Sequence, residues 1–216
     1  MKNNLQFGET VSGYNIPVVN EREIRATAGI MFLATLISFF LIIHNHDFVP
    51  IKYVIIIFMV DFSIRLFVSP KFSPLLILGR FFVRNQNPEY VGAPQKKFAW
   101  GIGLILSILM FLLLVLLNTY SVITGLTCFV CLILMFFESA FGVCIGCKLY
   151  GLIKKEKAQY CPGEICEVNM KQDIQKISAN QWFIFLGFVV FVVVLALVFN
   201  DAFKIMPTDL FKMLKN

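Results

Sequence analysis

The stretch WFIFLGFVVFVVVLALVFN, from Trp182 to Asn200, carries no charged side chain over its whole length. It has neither the polar stripe of a soluble amphipathic helix nor the strict alternation of a barrel strand. A helix needs about 20 apolar residues to cross the hydrocarbon layer. Four more runs approach that length: Ala26 to Ile43, Ile51 to Val68, Phe98 to Leu117 and Val122 to Val143.

The whole chain agrees with this reading. Of its 216 residues, 58% are hydrophobic, only 15% are charged and 24 are Phe, and the mean hydropathy is +0.79. A water-soluble core of this size cannot hide so many continuous apolar runs, so lipid is the solvent. The expected fold class is all-α: a polytopic integral membrane helix bundle of about five transmembrane helices. The first 25 residues lack the apolar stretch and cleavage site of a secretory signal, so the first span reads as an uncleaved anchor.

Lys and Arg alternate between rich and poor connections, which orients the chain. Lys2, Arg22 and Arg25 precede the first span, Lys52 alone marks the next connection, and Lys71, Arg80, Arg84, Lys96 and Lys97 follow the second span. The turn around Asn118 to Ser121 has no basic residue, whereas Lys148, Lys154, Lys155, Lys157, Lys171 and Lys176 follow the fourth span. An internal N-terminus satisfies this pattern, although the tail with Lys204, Lys212 and Lys215 then lies outside. The expected organisation is a cytoplasmic segment 1–25, a four-helix bundle 26–143, a cytoplasmic cysteine-rich loop 144–181, and a fifth helix with polar tail 182–216. Residues 75–84 mix Phe and Leu with Arg80 and Arg84 between prolines, which suits a helix in the membrane interface or a basic loop. The net charge of +6 reads as attraction to anionic headgroups, with no nucleic-acid partner implied.

Four of the six cysteines fall in the cytoplasmic loop: Cys144 and Cys147, then Cys161 and Cys166 after thirteen intervening residues. Two chemistries fit. The thiols can cycle between dithiol and disulfide or carry sulfane sulfur, with Cys144 and Cys147 as the catalytic pair and Cys161 and Cys166 as a relay or resolving pair. Alternatively, all four can ligate zinc or an iron-sulfur cluster in a non-enzymatic membrane protein or transporter component. No cofactor is certain from spacing alone. A thiolate at Cys144 is disfavoured if the fourth helix continues into it, unless Gly142 and Gly146 break that helix. Cys128 and Cys131 lie deep in the fourth run and read as small hydrophobes.

Charges inside spans are costly and call for partners. Asp61 and Arg65, four residues apart, share a helix face and form an intramembrane polar pair. With the second and fourth spans both running inward, that pair, Glu138 and Cys144 approach the same leaflet, where Glu138 can accept a thiol proton. His44, His46 and Asp47 read as a solvated turn. Gly101, Gly103, Gly125 and Gly187 read as sites of close helix packing.

Two segments carry a family resemblance: Pro94 to Gly103, and Gly142 to Tyr150 with its Cys-x-Gly-Cys-Lys-x-Tyr core. Asp61 to Arg65, followed by Ser69-Pro70 and Ser73-Pro74, also fits. Over roughly Val19 to Tyr150 the chain resembles an uncharacterised bacterial family of integral membrane proteins, domain of unknown function 4395. The resemblance implies a multi-pass location in the bacterial inner membrane, contact with the lipid bilayer and importance for the Cys144 pair, without naming a reaction. The company such genes keep implies a thioredoxin-like or sulfurtransferase protein as partner. A helix ending in Cys-x-x-Cys is also similar to quinone-linked thiol oxidases of the vitamin K epoxide reductase type, where the site faces the oxidising side.

Overall fold

A computed structural model of the chain describes residues 7–145 and 177–210. Six α-helices form among these residues: α1 (Glu21–Asn45), α2 (Val49–Ser63), α3 (Pro74–Val83), α4 (Ala93–Met110), α5 (Val122–Phe141) and α6 (Ala179–Lys204). Two of them run on into π-helical turns, α2 through Ile64–Val68 and α4 through Phe111–Leu116. Four helices are long and apolar enough to cross a membrane. The α2 helix with its π turn covers the remaining apolar run, Ile51 to Val68, and carries Lys52, Asp61 and Arg65. The chain is an all-α membrane helix bundle.

Local chemistry sets the helix ends. Asn20 accepts a hydrogen bond from the Arg22 amide and opens α1, so this helix starts five residues before the apolar run. Glu21 and Glu23 fill its first turn, where the helix dipole favours negative charge. Ser121 and Thr124 form a reciprocal capping box that starts α5, and Ser178 and Gln181 do the same for α6. Gly142 ends α5 in the left-handed conformation, with its amide bonded to the Glu138 carbonyl and the Val143 amide to that of Phe137. Only glycine takes that turn at little cost.

Two short pairings fix which helix ends meet. Strand β1 (Val18–Asn20) pairs antiparallel with β2 (Tyr90–Gly92), so the starts of α1 and α4 lie together. Strand β3 (Thr119–Tyr120) pairs in parallel with β4 (Thr208–Asp209) at the opposite end. Helix α1 packs mainly on α5 and α3, and α2 on α4. Helix α3 does not lie free at the surface. Its Leu75, Leu76, Ile77 and Arg80 are buried, and Gly79 lets it press against Thr27 and the Glu23 carbonyl of α1, where any side chain would collide.

The outward faces are strongly apolar. Leu197 is 80% exposed and Phe183 71%, a surface that only lipid tolerates. The glycine expectation holds at Gly103, where a Cβ would come within 2.9 Å of the Phe62 ring, and fails at Gly101, Gly125 and Gly187, which face open space. A small residue brings helices together only where a partner helix faces it. His44, in the last turn of α1, and His46, its left-handed cap, are exposed, and Asp47 accepts the Val49 amide at the start of α2.

Helix α6 is tied at both ends. Gln181 donates to the Lys71 carbonyl at one end. At the other, the buried Lys52 ammonium donates to Asn118 Oδ1 at 2.7 Å and to the Phe203 and Ile205 carbonyls at 3.1 Å each. Lys52→Met leaves these acceptors bare, so it should cost about 3 kcal/mol, read as a lower unfolding midpoint in detergent. An unchanged midpoint would show that the tie is idle.

Candidate functional site

Nearly all the buried charge of the bundle collects at the end where α1 and α4 begin and α2 and α5 finish. Asp61 and Arg65 form the expected ion pair one helical turn apart, both almost fully buried. The π turn carrying Arg65 ends at Ser69, whose amide bonds the Ile64 carbonyl. Ser73, the cap of α3, donates to Asp61 Oδ1 at 2.6 Å and accepts from Arg65 Nε at 3.2 Å. The Leu75 amide adds a further bond to Asp61 at 2.9 Å. The guanidinium lies 5.0 Å from the Phe62 ring centre and 5.2 Å from that of Trp100, a desolvated cation-π arrangement.

A second group lies beside it. Lys96 of α4 places its ammonium 2.7 Å from Glu21 of α1 and 2.7 Å from Glu138 of α5, tying three helices through one cation. Glu138 is the more accessible carboxylate of the two, at 18% exposure against 0% for Glu21. Arg80 of α3 pairs with Glu23 at 3.0 Å, and the Asn20 side chain donates to the same carboxylate. Arg25 donates to the Ser139 and Ala140 carbonyls, so a cation covers the negative end of α5 just where Cys144 follows. Outside the spans, Tyr90 of β2 is buried, and burial above all raises its phenol pKa beyond the ordinary range, so it keeps its proton.

Cys144 does not continue α5. It comes two residues past the Gly142 turn and is buried, at 8% exposure. Together with Arg65 and Glu138 it lines a cavity of about 150 Å³ between α1, α2, α4 and α5. The structure therefore brings Arg65, Glu138 and Cys144 to one space, with Asp61 held just behind Arg65. Cys147, Cys161 and Cys166 lie outside the described residues. Among the described residues, no group of three His, Cys, Asp or Glu side chains could hold a metal ion.

Several residues of the site escape sequence reasoning. Lys96 and Glu21 read as loop and terminal charges, yet they form the centre of the ion cluster. Cys128 and Cys131 read as plain hydrophobes, yet both line the cavity that Cys144 closes. The available signal was periodicity, since Cys128, Cys131, Met135 and Glu138 fall on one helical face.

A family model described as "Domain of unknown function (DUF4395)" matches residues 19–155. This span contains the ion clusters and every residue lining the cavity, and it leaves out α6. No curated protein and no solved structure gives a match.

Asp61→Ala strands a buried guanidinium and should destabilise the protein by about 4 kcal/mol. Asp61→Ala/Arg65→Met removes both charges and should recover part of that loss. Unfolding of these two variants and of Arg65→Met alone in detergent measures the coupling, and additive losses would show that the pair does not act as a unit.

Proposed function

This chain belongs to the DUF4395 family, a domain of unknown function, and from that premise we propose that it handles thiol reducing equivalents or sulfane sulfur. In this reading it is a multi-pass protein of the bacterial inner membrane whose charged end faces the cytoplasm. Cys144 is the reacting thiol, Cys147 its dithiol partner, and Cys161 with Cys166 the relay pair. The observation that supports the reading is the meeting of Cys144, Glu138 and Arg65 at one cavity.

The chemistry follows from that meeting. Glu138, held beside Lys96, lines the same cavity as Cys144, where its carboxylate can accept the thiol proton. The resulting thiolate attacks a sulfur of a partner's disulfide and expels one partner thiolate. Cys147 then attacks the mixed disulfide, leaving a Cys144–Cys147 disulfide, and the partner leaves as a dithiol that has gained two electrons and two protons. A sulfane donor fits the same opening step, because the thiolate takes the outer sulfur as a persulfide while the donor leaves reduced. A thioredoxin-like or sulfurtransferase protein has the chemistry of such a partner.

Thiol counting with and without reductant, run beside zinc and iron analysis, tests the proposal. Two thiols should appear only after reduction, and Cys144→Ser should abolish that difference. Glu138→Gln should slow alkylation of Cys144 by about 100-fold. Stoichiometric zinc or iron that disappears in Cys144→Ser/Cys161→Ser would overturn the redox reading in favour of a metal site.

A further inference from the structure

Sulfur is unevenly placed in this protein. Eight sulfur-bearing side chains occur among the described residues, and six of them, Met31, Met110, Cys128, Cys131, Met135 and Cys144, line the cavity between α1, α2, α4 and α5. Helix α6, equally apolar and 26 residues long, has no sulfur at all. Cys128, Cys131 and Met135 follow at spacings of three and four along one face of α5. Met110 of α4 meets Cys128 in a single buried cluster, 4% and 7% exposed.

Cys and Met often serve as adaptable packing residues in apolar cores. Packing residues fill space, however, and these six are among the residues that line a cavity of about 150 Å³. Thiol and thioether sulfur are soft donors that select Cu(I) over harder ions. Charge narrows the choice further. In a low-dielectric site a monovalent ion is neutralised by one thiolate, with thioethers adding uncharged donors, whereas a divalent ion needs two thiolates. Glu138, three residues beyond Met135 on the same face, offers a carboxylate at the cavity end near Cys144. Arg65, the cation of the cavity wall, is already neutralised by Asp61.

We propose that this cavity binds a soft monovalent metal ion, Cu(I) or its analogue Ag(I), through the thiols of Cys128 and Cys131, about one helical turn apart on α5, and the thioether of Met110, which packs with Cys128. Binding exchanges one thiol proton for the ion, with no change of oxidation state. The proton passes to solvent, and a metal–thiolate bond replaces the S–H bond. The site lies deeper in the cavity that Cys144 also lines and uses none of the loop cysteines for ligation.

The test titrates Ag(I) into full-length protein in detergent, in a background with Cys144→Ser, Cys147→Ser, Cys161→Ser and Cys166→Ser. After desalting, about one silver per chain should remain, with sulfur-only coordination by X-ray absorption. Adding Cys128→Ala/Cys131→Ala should remove it, and Met110→Leu should weaken it by about tenfold. Zn(II) should not be retained. Silver absent from the folded four-serine protein, silver held equally after Cys128→Ala/Cys131→Ala, or equal retention of zinc would each overturn the proposal. Should the four-serine protein fail to fold, Cys128→Ala/Cys131→Ala in the otherwise unchanged chain decides the matter. It should lose about one silver equivalent relative to the parent, and no loss refutes the site.

Discussion

The ion pair of Asp61 and Arg65 is the constraint on which the bundle turns. A guanidinium with about 2% exposure costs several kcal/mol to take out of water. The carboxylate one turn away offsets the charge. The rest of the arrangement follows from completing the hydrogen bonds of the pair. Ser73 must sit between the two groups, which fixes where α3 starts, and the Leu75 amide must point at Asp61, which fixes its direction. Phe62 and Trp100 then cover the cation from α2 and α4.

The same logic extends across this end of the protein. Lys96 satisfies two carboxylates from two different helices, Arg80 satisfies Glu23, and Arg25 covers the carbonyls that α5 leaves open. Each cation joins elements distant in sequence, so the charges act as registry pins for helices whose apolar sides could slide past one another in lipid. The opposite end has a different device, in which buried Lys52 binds neutral acceptors at the end of α6. Between these two ends the four helices leave a space lined by sulfur and closed by Glu138 and Cys144. Charge is confined to the rim of that space, where it orders the groups able to exchange protons, and the interior stays soft and apolar.

The sequence alone determined the all-helical membrane class, the helices over its apolar runs and the Asp61–Arg65 pair, because long uncharged runs have one stable solution in lipid and a spacing of four leaves one helical neighbour. It also foresaw that Glu138 and Cys144 approach the same end. The roles of Lys96 and Glu21, the cap that Arg25 places on α5 and the gathering of six sulfur atoms were decided only by the tertiary structure. Those contacts join residues tens of positions apart on different helices, and their pairing depends on how each helix is rotated about its axis. A continuous apolar run carries little information about that rotation. The packing of Gly79 against α1 and the completed hydrogen bonds of Ser73 supply it.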